Sequence, residues 1–186
     1  MKKGISIVLI ILLVAAVSFR LVRFYEANAN QAEREKLERI YEEAVEGKGN
    51  TTSSEQKKVI GKISIPSLDI SYIILNQTTD KNLDISISKV VGPAIHAKGN
   101  LVLAGHNMRN GSFFGHLKGM KASDPIFLED KAGTKKEYQM VDKYWVDKSD
   151  LSPLSQSNQT EAVLTLITCT KDPDKRLIVV AKAKIN

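Results

Sequence analysis

The chain reads as a mainly β protein: a closed or nearly closed β-barrel with short helices, preceded by a transmembrane helix and a helical stalk. Three observations predict this. Residues 4–19 run for sixteen residues without a charge. Residues 26–46 are rich in Ala, Glu, Gln, Lys and Arg, all good helix formers. From Val59 onward, short apolar and β-branched runs alternate with Gly and Pro punctuation, the pattern of an all-β barrel.

The apolar run, GISIVLIILLVAAVSF, follows Lys2 and Lys3. At 1.5 Å per residue it covers roughly 24 Å, slightly less than a bilayer core of about 30 Å. Leu21, Val22 and Phe24 extend it if Arg20 and Arg23 snorkel toward the headgroups, with Phe24 and Tyr25 at the interface. An uncleaved, single-pass signal anchor over residues 1–25 is expected. The competing reading is a cleaved signal peptide, because Ala27-Asn28-Ala29 resembles an A-x-A site. That site lies behind two arginines, a poor position for cleavage. Flanking charges alone, with Arg20, Arg23, Arg34, Lys36 and Arg39 after the span, would put the C-terminal part in the cytoplasm.

Residues 26–58 read as a juxtamembrane helix and linker. Leu37, Ile40, Tyr41, Ala44 and Val45 form one apolar stripe at helical spacing. The helix is either a stalk that lifts the next domain off the bilayer or an element packed on it. Gly47 is a natural C-terminal stop, and Gly47 to Glu55 is a linker by composition.

The folded domain is expected over residues 59–186. Strands are predicted at Val59–Ile65, Ile70–Leu75, Asn100–Ala104, Ile126–Leu128, Glu137–Asp147, Val163–Cys169 and Leu177–Lys184. Pro66, Gly92-Pro93, Gly99, Pro125, Gly133 and Pro153 separate or flank them. Short helical turns are predicted at Thr79–Ile85 and Ser112–Met120.

Composition excludes several classes of function. The chain has 27 Lys and Arg against 21 Asp and Glu, a formal net charge of +6. The excess is scattered, with no basic run interleaved with aromatics, so nucleic acid is not an expected partner. An anionic membrane or cell-wall surface is the milder reading of the charge. The single cysteine rules out an intramolecular disulfide and a cysteine-based zinc site. No cofactor or metal is expected. HExxH and GxSxG motifs are absent.

That cysteine, Cys169, ends the apolar strand Val163–Cys169. Arg176 opens the next strand after a short polar turn, Thr170 to Lys175. A thiol and a guanidinium are thereby placed at the facing ends of neighbouring strands. The plain alternative is a buried cysteine acting as a small hydrophobe. Of the three histidines, His106 follows the apolar run Leu101–Gly105 and so also sits at a strand end. His96 reads as a surface residue in a turn, and His116 as part of a short helix. A thiol becomes a strong nucleophile as the thiolate, which an imidazolium and a guanidinium both favour. The imidazolium then protonates a leaving amine, and the guanidinium stabilises an oxyanion. Cys169, His106 and Arg176 therefore form a complete acyl-transfer set. No Asp or Asn is evidently placed to orient the histidine. Papain-like enzymes place Cys before His, the reverse of the order here, and the caspase signature is absent.

On these residues the chain resembles the sortases, membrane-anchored cysteine transpeptidases of Gram-positive bacteria. The matching stretches are Leu103-Ala104-Gly105-His106-Asn107, Thr165-Leu166-Ile167-Thr168-Cys169, and Arg176 opening Arg176-Leu177-Ile178-Val179-Val180, within a region from about Val59 to the C-terminus. The resemblance implies an eight-stranded sortase-type β-barrel with its site in a groove at the strand ends. It implies that Cys169 cleaves a C-terminal sorting signal such as LPxTG through a thioacyl enzyme. An amine of a cell-wall precursor or a pilin then takes the acyl group. Surface proteins bearing sorting signals would be the substrates. The resemblance makes His106 the acid and base, assigns Arg176 to substrate positioning and the oxyanion, and places Ala104, Ile167 and Thr168 along the sorting-signal groove. It puts the domain outside the cell, against the charge count at the anchor. TLITC is common in class A sortases, whereas Gly105 to Ser112 resembles class B, and Lys143 to Glu161 is short for the long class B helix; a class D-type or unclassified small sortase is the further alternative. Asp80 and Asp84 do not define a calcium site. Two alternatives are another extracytoplasmic acyl-transferase of the L,D-transpeptidase kind, whose cysteine signature Thr168-Cys169-Thr170 does not supply, and an inert membrane-tethered barrel that binds peptides.

Overall fold

A computed structural model describes residues 2–48, 58–157 and 160–184. Its first element, α1, is one continuous helix, Lys2–Val45. Eight strands follow: β1 (Val59–Ile65), β2 (Ile70–Leu75), β3 (Ile87–Val91), β4 (Gly99–Ala104), β5 (Pro125–Asp130), β6 (Lys135–Asp147), β7 (Ala162–Cys169) and β8 (Lys175–Ala183). A short helix, α2 (Asp80–Ile85), joins β2 to β3.

The strands close into a barrel in the order β1-β2-β3-β4-β7-β8-β6-β5. The β2–β3 and β4–β7 pairs are parallel; the remaining pairs are antiparallel. The period-two alternation of the strands fills the interior. Ile63, Leu101, Leu103, Leu128, Leu164, Leu166, Leu177 and Val179 point inward and pack with Phe114, Leu117 and Met120 of the β4–β5 loop. The intervening residues of β4, β7 and β8 face out.

Seven of the eight strands coincide with the predicted runs, β1 and β2 residue for residue. The exception is β3. Its sequence, ISKVV, follows α2 after a single residue, Ser86, and is short and interrupted by Ser88 and Lys89. In the fold, Ser86 and Ser88 are buried, and Ser86 Oγ donates to the Ile73 carbonyl at 2.5 Å. The predicted turn at Thr79–Ile85 is α2, capped by the Thr79 hydroxyl, which accepts from Asn82 N–H. Within Ser112–Met120, only Leu117–Gly119 forms a 3₁₀ turn.

Helix α1 has two regimes. From Val8 to Tyr25 its large apolar side chains are exposed, and this helix is long and apolar enough to cross a membrane. Further along, Leu37 and Tyr41 are buried against the outer face of β1 and β2, together with Val59, Ile73, Leu75 and Ile85. Of the two sequence readings of this segment, the packed helix is therefore the one adopted. Tyr41 Oη lies 3.4 Å from the Asp130 carbonyl, to which it donates. Burial, then the neighbouring Glu129, pushes its phenol far above the ordinary range. Gly47 takes a positive φ of 69°, and its N–H reaches the Ala44 carbonyl, ending the helix as its residue type requires. Residues 49–57 of the expected linker lie outside the described residues.

Docking of α1 has a measurable consequence. Leu37→Ala removes a side chain buried in the apolar cluster between α1 and the barrel, a loss of about 2–4 kcal/mol. Amide exchange over residues 34–45 should accelerate accordingly, while the rate of Cys169 alkylation stays at its wild-type value.

Candidate active site

Strand register assembles the site. β7 and β8 are antiparallel, and Cys169 pairs directly with Arg176 across the ladder. β4 and β7 are parallel, with Ala104 level with Ile167. The Gly105 N–H continues that ladder to the Ile167 carbonyl at 3.2 Å. His106, two residues past Ala104, is thereby carried to the same rim as Cys169, two residues past Ile167. Adjacent strands lie about 4.8 Å apart, so the three side chains emerge from neighbouring strand ends. Antiparallel pairing places the arginine and parallel pairing places the histidine, although each is distant from the cysteine in sequence.

Cys169 is a free thiol and is exposed. That removes the reading of it as a packed hydrophobe. Its backbone is pinned by Asn107, whose Nδ2 donates to the Cys169 carbonyl at 2.8 Å. One residue earlier, Thr168 is buried, and its hydroxyl donates to the Gly105 carbonyl at 2.7 Å. The ends of β4 and β7 are therefore tied by three hydrogen bonds around the thiol. Gly105 has a steric reason to be glycine: a methyl group there would overlap the Ile87 and Phe114 side chains.

Arg176 is held by its own turn. Its Nη1 donates to the carbonyls of Pro173 and Lys175, both at 3.0 Å. The turn is stiffened by Thr170, whose hydroxyl donates to the Asp172 carbonyl, and by the Lys148–Asp174 and Lys175–Asp147 ion pairs at 2.6 and 2.7 Å. The Asp147 hydrogen bond raises the Lys175 ammonium above the ordinary lysine range. A guanidinium carries five donors, so these two bonds leave donors to address a ligand.

His106 has a partner that sequence reading did not find. Its Nε2 lies 3.2 Å from Asp84 Oδ1. A carboxylate oxygen accepts, so Nε2 carries the hydrogen and Nδ1 is left to exchange a proton. The ring also meets the edge of Phe113, with centroids 6.1 Å apart, and Phe113 stacks on Tyr72 at 5.1 Å. Asp84 sits on α2, just ahead of the unpredicted strand β3, whose pairing with β4 helps carry it to the rim.

The predicted groove residues divide by direction. Ala104 and Ile167 face outward, are half-buried and lie next to the thiol. Farther down the same face, Asn100, Thr165 and Gln156 form a hydrogen-bonded cluster with the Pro153 carbonyl that covers the sheet. Ala104 and Ile167 therefore lie between that cluster and the thiol. The Thr168 side chain points inward.

The other histidines serve elsewhere. His96 is at the opposite end of the barrel, with Nε2 2.9 Å from the Thr134 carbonyl and Nδ1 3.3 Å from Tyr138 Oη. His116 Nδ1 lies 3.1 Å from the Leu68 carbonyl. Among the described residues, no group of three or more His, Cys, Asp or Glu could hold a metal.

A closed mixed barrel that presents a thiol, an imidazole and a guanidinium on one rim defines a class: a cysteine-centred site built on a β-barrel. Comparison with known proteins gives the family. A sortase-domain family model matches residues 63–184. Sortase A of Bacillus anthracis is 35% identical over 130 residues, covering 68% of this chain and 60% of that protein. Sortase A of Listeria monocytogenes is 31% identical over 131 residues, covering 69% of this chain and 58% of that protein. The match therefore spans about three-fifths of the length of these curated relatives. Among solved structures, Listeria monocytogenes sortase A superposes with a TM-score of 0.62 at 30% identity, covering 69% of this chain and 88% of that one. A Clostridium perfringens sortase D5 transpeptidase superposes with a TM-score of 0.66 at 25% identity, covering 82% and 98%. The chain belongs to the sortase family, and its barrel has the eight-stranded mixed sortase fold.

Proposed function

We propose that this chain is a membrane-anchored cysteine transpeptidase acting on C-terminal sorting signals of the LPxTG kind. The observation that carries the reading is the register that sets Cys169 opposite Arg176 and brings His106 to the same rim. Family membership supports it, as does the exposure of the thiol.

In the first step the Cys169 thiolate attacks the carbonyl carbon of the scissile amide. The negative charge moves to the carbonyl oxygen, where the Arg176 guanidinium stabilises it. Protonated His106 gives its proton to the departing amine, the C–N bond breaks, and a thioester remains on Cys169. In the second step an amine attacks the thioester. Neutral His106 takes the amine proton, the C–S bond breaks, and the thiolate and imidazolium are restored. Ala104 and Ile167 floor the groove that receives the signal, and Thr168 acts from inside by fixing the two strand ends. The acceptor is an amine of a cell-wall precursor or a pilin.

Helix α1 serves as an uncleaved anchor, with the barrel outside the cell. Its continuity supports this, because the apolar stretch runs without a break into the segment docked on β1 and β2. Cleavage at Ala27-Asn28-Ala29 would sever that helix. A sorting-signal peptide library incubated with the chain, with and without an added amine and read by mass spectrometry, tests the assignment. Amine-dependent ligation products are expected; a chain that cleaves no peptide refutes it.

Asp84 acts through His106 as a positioning residue. Asp84→Asn keeps the size of the side chain and removes its charge. It should lower kcat on the order of tenfold, the scale of one charge-assisted hydrogen bond at an open site, with KM little changed. The pH–rate profile should shift with it. A wild-type profile would show that the aspartate is a bystander.

A further inference from the structure

A second recess opens beside the site, on the anchor side. It lies between α1 and the β4–β5 loop and has a volume of about 970 Å³, within the range of small-molecule sites. Arg23, Asn30 and Arg34 line it from the helix, and Arg109, Asn110 and Ser112 line it from the loop.

Its charges are unequally matched. Glu26 and Asp84 are its two carboxylates. Glu26 pairs with Arg23 at 3.4 Å, and the Asp84 carboxylate is turned to His106. Among the described residues Arg34 meets a backbone carbonyl, that of Asp84 at 3.4 Å, and the ring of Phe113, 5.9 Å from its guanidinium carbon, and no carboxylate. Arg109 makes no ion pair among the described residues. Among the described residues two guanidiniums are therefore left without a carboxylate, one on each wall.

Depth identifies what they face. The headgroup layer on each side of a bilayer is about 5–8 Å thick, or four to five helical residues at about 1.5 Å each. If the hydrocarbon region ends at Phe24 and Tyr25, that layer spans about residues 25–30. The Arg34 backbone stands roughly 6 Å beyond it, a span that an arginine side chain covers by leaning toward the helix N-terminus, as helical side chains do. The recess thus begins at headgroup level and leads toward His106.

We propose that this recess binds the anionic phosphate headgroup of a membrane lipid, with the phosphate between Arg34 and Arg109. Guanidiniums suit this ligand because their planar fork matches phosphate oxygens, and Asn30, Asn110 and Ser112 offer polar side chains to the rest of the headgroup. Occupancy would fix the barrel relative to the bilayer, with the Cys169 rim close to the surface. The assignment rests on the anchor reading of α1 and is independent of the transpeptidase chemistry.

The test uses the full chain in phosphatidylcholine nanodiscs containing phosphatidylglycerol, with retained lipids counted by native mass spectrometry. Wild type should retain phosphatidylglycerol selectively. The Arg34→Gln/Arg109→Gln double variant should lose that preference at least fivefold, whereas Lys135→Gln/Lys182→Gln, at the opposite end of the barrel, should keep it. Inorganic pyrophosphate at millimolar concentration should leave the lipid in place. Equal retention by wild type and the arginine variant overturns the proposal. Displacement by micromolar pyrophosphate overturns the lipid assignment in favour of a free anion. A chain that fails to enter nanodiscs overturns the anchor reading and this site with it, whereas entry without lipid preference overturns the site alone.

Discussion

Cys169→Ala should abolish acyl-enzyme formation and peptide cleavage while leaving the barrel folded. The thiol is exposed at the end of β7, and its side chain fills no core position. The structure around it is held by other groups: the Thr168 hydroxyl on the Gly105 carbonyl, the Asn107 amide on the Cys169 carbonyl, and the ladder between β7 and β8. Truncation to alanine removes none of these. The variant should therefore show an unchanged circular dichroism spectrum and a melting temperature close to wild type, together with activity at background. Cleavage of sorting peptides by this variant would assign the chemistry to another group.

The second large effect concerns the two residues that flank the thiol. His106→Ala removes the proton carrier for both steps, and Arg176→Ala removes the cation facing the developing oxyanion. Each should lower kcat on the order of 10²-fold or more. The two losses should differ in kind. An added small imidazole base should recover part of the His106→Ala rate. Arg176→Lys should stay impaired, because an ammonium lacks the planar fork that addresses one oxygen while Nη1 holds the turn carbonyls. His96→Ala provides the control, since His96 is bound to Thr134 and Tyr138 at the far end of the barrel. A His96 variant as inactive as the His106 variant would move the acid and base role to the other histidine.

What was legible in sequence follows the range of the interactions concerned. β1 is an alternating run and β2 a short apolar one, bounded by Pro66 and Asn76, so local pattern sets their ends. Cys169 and Arg176 could be placed together because a short turn between two apolar strands makes an antiparallel pair, and the pair forms. His106 needed only the inference that its strand ends on the same side. β3 escaped because the serines in and just before it are buried by tertiary contacts: Ser88 lies within the strand, and Ser86, one residue ahead of it, is bonded to a carbonyl on β2. Asp84 escaped with it, because its approach to His106 depends on that strand. The stripe of Leu37 and Tyr41 was readable as apolar, but whether it met the barrel depended on an exposed apolar face of β1 and β2 that periodicity does not reveal. Thr168 follows from strand alternation: Ile167 and Cys169 face the groove, so the residue between them faces the core.

The central claim is that Cys169 carries the acyl group. The most direct test is the intact mass of the chain after incubation with an LPxTG-type peptide and no added amine. An adduct equal to the N-terminal peptide fragment in thioester linkage is expected. It should map to Cys169, disappear with hydroxylamine and be absent from Cys169→Ala. An adduct that survives in Cys169→Ala, or no adduct with any sorting peptide while Cys169 still alkylates readily, would contradict the account.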